Sequence, residues 1–245
     1  MTTKNQLPHL NVFIGYDGRQ DLAYKVCRES LLQTTTRPLS VYPLKHRTLR
    51  EIGLFNREWS IKSDGYTLDN TDGRPFSTDF AFTRFLVPHY AAYLGRAKNS
   101  FNVFVDSDFV FTRDIYDIFR EQNLSSKLLW CVKHDYKSPH VVKMDNQKQE
   151  NYNKKLWSSF MVFHPDNPGP FLKDVNTQSG SWLHGFEWMP TSGIGGLDEG
   201  WNFIPDHSEP RVWDHEIRAI HYTESARSGK VSKLLLVCKT LLRRN

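Results

Sequence analysis

In the run Asn102-Val103-Phe104-Val105-Asp106-Ser107-Asp108-Phe109-Val110-Phe111, two carboxylates interrupt a stretch otherwise fit for the interior of a sheet. Alternate side chains of an extended chain project the same way, so Asp106 and Asp108 can converge on one point at the strand's C-terminal end. Two anions held that close call for a cation. Carboxylate oxygens suit the hard ions Mg²⁺ and Mn²⁺, whose remaining positions are commonly filled by water and substrate phosphate. A turn in which the aspartates cap the chain is the competing reading; the apolar residues on both sides, rare around a surface turn, bring the metal reading level with it. Arg84, in the mainly apolar Thr83-Arg84-Phe85-Leu86-Val87-Pro88, also needs a partner. An aspartate of the triplet, a sugar or phosphate reached by its fork of donors, or a structural ion pair would each serve.

The elements that must carry these residues follow from periodicity. Leu10 to Tyr16 reads as a strand, closed by Asp17-Gly18, and a helix is expected over Asp21 to Gln33 with Leu22, Val26, Ser30 and Leu31 facing the core. A strand at Leu39 to Leu44 comes next. Strand, helix, strand is the opening of a parallel α/β sheet, in which ligands sit beyond the C-terminal ends of the strands. From Asn56 to Thr78 the composition turns polar, with Asp64-Gly65 and Asp72-Gly73 as turn signals, so a long surface excursion is expected. A helix over Thr78 to Leu94 would bury Phe82, Phe85, Leu86 and Tyr93; a short helical segment at Ile115 to Arg120 and a strand at Leu128 to Lys133 follow. The polar stretch His134 to Lys155 reads as a loop.

With 245 residues the chain can bury one sizeable core, and no stretch approaches the ~20 apolar residues of a membrane span. Met1 to Leu10 lacks the apolar core of a secretory signal, and the three cysteines are too few and too scattered for a disulfide framework, so a cytoplasmic protein is expected. A net charge of +5 favours an anionic partner such as a nucleotide, a nucleic acid or an anionic membrane surface.

Taken in order, the first strand ending in Gly15-Tyr16-Asp17, the Arg84 segment, Val105-Asp106-Ser107-Asp108 and the late Ile220-His221-Tyr222-Thr223 resemble the nucleotide-sugar glycosyltransferases of the GT-A fold. The likeness is to glycogenin-like and lipopolysaccharide-galactosyltransferase-like enzymes. Leu156 to Asn167 and Gly200-Trp201-Asn202-Phe203-Ile204 look like a bacterial or phage subgroup. The resemblance implies a single α/β domain over residues 1–225, with a mixed, mainly parallel sheet flanked by helices, and leaves 226–245 as a basic amphipathic tail.

It also implies roles. Asp106, Asp108 and His221 would hold a divalent metal against the diphosphate of a nucleotide sugar, a UDP-sugar ahead of other donors; the imidazole leans the site toward Mn²⁺ over Mg²⁺. Tyr16 and Asp17 would contact base and ribose, and Ser107 and Arg84 would lie beside the donor. Trp157-Ser158-Ser159 stands where the family commonly has Asn-Ser-Gly, which leaves Ser158 and Ser159 as candidate sugar contacts. Near the reacting carbon the candidates are Glu187 and the Asp198-Glu199 pair, with Asp198 preferred because Gly195 and Gly196 precede it. The reaction implied is sugar transfer, with retention, to a glycan or lipid-linked acceptor. Trp182, Trp188, Trp201 and Trp213 are candidates for the acceptor face. The tail Lys230 to Arg244 has the pattern of a helix lying on an anionic membrane, or of a last helix packed on the domain. Two rivals remain: a nucleic-acid-directed protein, either a phage-type transferase acting on modified DNA bases or a binding module, and a two-metal phosphohydrolase, which would need more clustered carboxylates than the chain shows.

Overall fold

A computed structural model of the chain describes residues 7–61, 67–74, 78–135, 154, 156–205, 208 and 216–223. The strands are β1 (His9–Gly15), β2 (Ser40–Leu44), β3 (Trp59–Ile61), β4 (Thr67–Asp69), β5 (Ser100–Val105), β6 (Phe109–Phe111), β7 (Leu129–Val132), β8 (Phe160–Phe163), β9 (Ile194–Leu197) and β10 (Ala219–His221). The helices are α1 (Asp21–Thr34), α2 (His46–Glu51), α3 (Val87–Tyr93), α4 (Ile118–Glu121), α5 (Leu172–Thr177) and α6 (Gly180–His184). Six strands form one sheet in the order β2-β1-β5-β8-β7-β9. Only β8 runs against its neighbours, β5 and β7; the other pairings are parallel. This is the mixed, mainly parallel single-domain sheet expected from the sequence.

Alternation along each strand divides the core into two layers. Leu10, Val12 and Ile14 of β1, Val103 and Val105 of β5 and Val162 of β8 face a cluster with Cys27 and Leu31 of α1. Phe13, Phe104, Met161 and Phe163 face the opposite cluster, with Phe85, Leu86, Val87 and Phe186. Both faces of β5 are buried, which is why it reads as a continuous apolar run. One polar pair crosses this interior: Asn11 Nδ2 donates to Asn102 Oδ1 at 3.0 Å in the neighbouring strand and to Arg96 O at 3.0 Å, which satisfies the buried amide's donor end.

Several expectations need correction. The stretch from Thr78 to Leu94 is not one helix: a 3₁₀ turn at Thr83–Leu86 precedes α3. Pro88 has no N–H to give Arg84 four residues back, so an α-helix cannot run through it, whereas a place in the first turn of α3 leaves no donor missing. Tyr93 is 60% exposed and Leu22 46% exposed, so neither belongs to the core faces assigned to them. Val26, Ser30 and Leu31 are buried as expected, and Cys27 joins them. The polar excursion after Asn56 is not all surface. Arg57 and Asp69 form a fully buried ion pair there, and Arg57 also donates to Val175 O of α5 at 3.0 Å. Trp201 is completely buried, with Nε1 donating to Glu121 at 2.9 Å, and is core rather than acceptor face. Trp213, the tail 226–245 and nearly all of 134–155 lie outside the described residues. Among the described residues, no helix is long and apolar enough to cross a membrane.

Candidate metal centre

All the parallel strands end on one edge of the sheet, and β8, running the other way, begins there. That edge therefore gathers Tyr16-Asp17 after β1, Asp106 after β5, His134 after β7, Asp198 after β9, and Ser158-Ser159 ahead of β8. Asp106 and Asp108 do converge, but not by strand alternation. β5 ends at Val105, and Asp106-Ser107-Asp108 forms the turn into β6. The turn is tied down from several sides. Asp106 N donates to Ser159 O at 3.0 Å, and Ser107 Oγ donates to Gln20 Oε1 at 2.7 Å.

His221 arrives from far along the chain because β10 pairs antiparallel with β6, opposite Phe109. Tyr222 N then donates to Asp108 O at 3.0 Å. The imidazole stacks on the Phe109 ring at 4.3 Å and 20°, with Nε2 3.2 Å from Asp108 Oδ1 and 3.9 Å from Asp106 Oδ2. One ligand atom from each of Asp106, Asp108 and His221 lies within 4.8 Å of the others, and among the described residues this is the one such cluster of three.

The electrostatics fit a cation. Burial pushes the Asp106 carboxyl up to about 6; the Arg84 guanidinium, with Nη1 3.0 Å from Oδ1, pulls it down, and neighbouring Asp108 adds to the rise. Burial also opposes ionisation of Asp108, but the charge and hydrogen bond of His221 outweigh it and hold that carboxyl below its usual value. Oδ1 of each aspartate is buried and makes no well-directed hydrogen bond, Asp106 Oδ1 facing Arg84 Nη1 at 3.0 Å and Asp108 Oδ1 facing His221 Nε2 at 3.2 Å. Two buried carboxylates beside an imidazole nitrogen form a donor set suited to a divalent ion.

Arg84 takes the first of its three expected partners. It pairs with Asp106, and it also donates to Ser158 O at 3.0 Å and to Phe80 O at 3.3 Å. The two serines are occupied: Ser158 Oγ bonds His184 Nδ1 at 2.8 Å, and Ser159 Oγ donates to Leu156 O at 2.5 Å. Asp17 is buried and caps the following turn, accepting from Arg19 and from Asp79 N–H. Burial would raise its carboxyl, but the Arg19 hydrogen bonds and charge hold it below the usual range. The Tyr16 ring carries the Lys45 ammonium 4.7 Å from its centroid, and its hydroxyl donates to Asp21 at 3.1 Å. Asp198 is exposed; it caps a 3₁₀ turn through Gly200 N and pairs with Arg218 at 3.3 Å. The glycines before it do not loosen it, because both lie in β9, and a side chain at Gly195 would collide with the Trp130 ring. Glu187 is exposed beyond α6, and its N–H is bonded to Trp182 O.

Sequence reasoning missed two residues. Asn202, fully buried, accepts from His221 Nδ1 at 2.8 Å. His134 is held neutral, its imidazole pushed down to about 4 by burial and influenced by Glu199, His221 and Asn202; its Nε2 is buried without a partner. Asn202 lay within a segment already marked by resemblance, whereas nothing in the composition around His134 singled it out.

No established family profile matches the chain. Over 218 residues, however, it is 36% identical to Protein CDI of Arabidopsis thaliana, covering 86% of this chain and 76% of that protein. The chain belongs to the CDI family. The relative that shows it is a plant protein, so the bacterial or phage subgroup is not supported. Among solved structures, this CDI-family chain resembles the WbbM bifunctional glycosyltransferase, with a TM-score of 0.51 and 12% identity over 91% of the chain. It spans about half that protein's length, 47%. It also resembles a glycosyltransferase involved in glycosylation of the major capsid of PBCV-1, with a TM-score of 0.50 and 9% identity over 92% of this chain and 100% of the other. At such identities the likeness is one of fold, and the fold is that of the GT-A glycosyltransferases.

Proposed function

We propose that this CDI-family protein is a metal-dependent glycosyltransferase, taking a nucleotide-diphosphate sugar, with a UDP-sugar ahead of other donors, and passing the sugar with retention to a glycan or lipid-linked acceptor. The observation that carries the reading is the cluster of Asp106, Asp108 and His221, one ligand atom of each within 4.8 Å of the others, on the C-terminal edge of a GT-A sheet. Mn²⁺ suits this set better than Mg²⁺ because one ligand is an imidazole. Bound there, the cation would neutralise charge building on the departing diphosphate as the bond from the anomeric carbon breaks.

The chain's own residues supply the rest. Arg84 keeps Asp106 oriented and offsets part of the cost of burying its charge. The ends of β7 and β9 and the start of β8 bring His134, Asp198-Glu199 and Ser158 to the same edge of the sheet as the metal centre, where they are candidates to meet the sugar. Among the described residues the cluster has three ligands, fewer than the carboxylate set that the two ions of the phosphohydrolase rival need.

The test is thermal stability with Mn²⁺ and a panel of UDP-, GDP- and CDP-sugars, followed by a donor screen for nucleotide release. A rise in melting temperature with Mn²⁺ and one donor class, lost in Asp108→Asn, is expected. No stabilisation by any of the panel would remove the reading.

A further inference from the structure

We infer that Asn202 and Ser159 are positioning residues that select both the ring flip and the tautomer of His221, so that Nε2 is the atom offered to the cation. The inference rests on the metal-centre reading above, but its first test needs no metal.

Stacking on Phe109 fixes the plane of the imidazole, at 20° to the phenyl ring. Stacking alone does not distinguish the ring from its flipped form, because rotation by a half-turn about Cβ–Cγ leaves the plane unchanged. Nor does it say which nitrogen carries the proton. Asn202 resolves both. Its carboxamide is oriented by the groups on its far side: Nδ2 lies 2.8 Å from Ser159 Oγ and 3.4 Å from Leu156 O, both acceptors toward it. Ser159 Oγ accepts because its own proton is given to Leu156 O at 2.5 Å. That carbonyl is turned toward both side chains by a left-handed backbone at Leu156, φ 68°, a conformation a leucine adopts only where its surroundings enforce it. With Nδ2 facing Ser159, the other carboxamide atom, Oδ1, faces His221 Nδ1 at 2.8 Å. An amide oxygen only accepts, so Nδ1 donates, and the neutral ring keeps its lone pair at Nε2. Nε2 is the nitrogen that points at Asp108 Oδ1 and Asp106 Oδ2.

The chain of bonds from Leu156 through Ser159 and Asn202 to His221 therefore aims a nitrogen lone pair at two carboxylates. A cation reconciles three lone pairs converging on one point, as a proton shared between Nε2 and Asp108 does in its absence. The backbone is set to hold this arrangement, since His221 N donates to Phe203 O at 2.8 Å and Phe203 N to Ala219 O at 3.0 Å. Asn202 and His221 are thereby locked on paired segments.

The experiment is ¹⁵N NMR of the histidine side chains in the full chain without metal, together with Mn²⁺ binding by calorimetry, on wild type, Asn202→Ala, Asn202→Asp and Ser159→Ala. Wild type is expected to show His221 as the Nδ1–H tautomer, and Asn202→Ala a mixture. Outer-shell partners of this kind typically change metal affinity by ~10–100-fold, which is the loss expected for Asn202→Ala. Asn202→Asp keeps an acceptor for Nδ1–H, and is expected to keep the wild-type tautomer and most of the affinity. Ser159→Ala should fall between the two. If Asn202→Ala does not fold, the wild-type tautomer and the other two variants decide. An Nε2–H tautomer in wild type, or Ser159→Ala and Asn202→Asp both losing affinity with the tautomer unchanged, overturns the inference. Wild type with the Nδ1–H tautomer but no affinity for Mn²⁺ would leave the positioning intact for the ring while overturning its purpose and the metal-centre reading.

Discussion

Proton competition at Asp106 should make metal binding strongly dependent on pH just below neutrality. Its carboxyl is pushed up to about 6 from an ordinary 3.8, chiefly by burial. The rise of roughly two units corresponds to about 3 kcal/mol at ~1.4 kcal/mol per unit. A raised folded-state value favours the protonated form, so this group's stabilising contribution is full below about 4 and is lost as pH climbs through about 6. Asp108 has the opposite sign: its lowered value contributes stability above the ordinary carboxylate range, lost only as pH falls below it. The two windows do not overlap, so between about 4 and 6 the aspartate that changes charge is Asp106. A cation binds the deprotonated carboxylate, and must displace this proton. The Mn²⁺ dissociation constant should therefore weaken about tenfold from pH 7 to pH 5 through Asp106 alone. Calorimetry at pH 5, 6 and 7 reads the constant, and ¹³C NMR of the carboxyl in metal-free protein reads the titration. Equal affinity at pH 5 and 7, or an Asp106 carboxyl titrating near 4, would refute the reasoning.

Three further variants separate the site from the scaffold. Arg84→Met removes one partner of a buried ion pair and should cost ~3–5 kcal/mol of stability by urea unfolding, with the loss smaller at pH 5, where Asp106 is largely protonated. Arg57→Met breaks the other buried pair, with Asp69, at a similar ~3–5 kcal/mol cost, yet should leave Mn²⁺ affinity within about twofold of wild type by calorimetry. Gly200→Ala drives a methyl group into Glu216 O on the segment leading to β10. It should lower stability by ~1–3 kcal/mol and weaken Mn²⁺ binding, because displacing that segment moves His221. A Gly200→Ala protein binding Mn²⁺ like wild type would show that β10 docks independently of this contact.

What the sequence made legible was whatever depends on near neighbours. The apolar runs of β1, β5 and β7, the opening strand-helix-strand order and the Asp106-Ser107-Asp108 triplet are local patterns, and they appear in the sheet and at its ligand edge. His221 came from family order and not from any local property. Pairings between distant segments were not legible. Nothing near Ser159 indicates that its hydroxyl faces Asn202, and nothing near Arg57 indicates that Asp69 is buried with it. Amphipathic spacing overreached at Leu22 and Tyr93, because periodicity reports which residues share a face and not where the neighbouring layer stops. Gly195 shows the same limit: its small size answers to the Trp130 ring on the adjacent strand, a neighbour only the fold supplies.

The antiparallel pairing of β10 with β6 has a consequence for the order in which the protein becomes competent. The six strands of the main sheet end at Leu197, so a chain still being synthesised has made all of them, and both aspartates, before Trp201 of the core and before the third ligand. Until Ala219 to His221 dock beside Phe109 to Phe111, that nascent molecule holds a two-carboxylate site of much weaker grip. Metal capture would then register the docking of this late strand, and a premature stop after β9 would remove Trp201 and Ala219 from the core together with the third ligand.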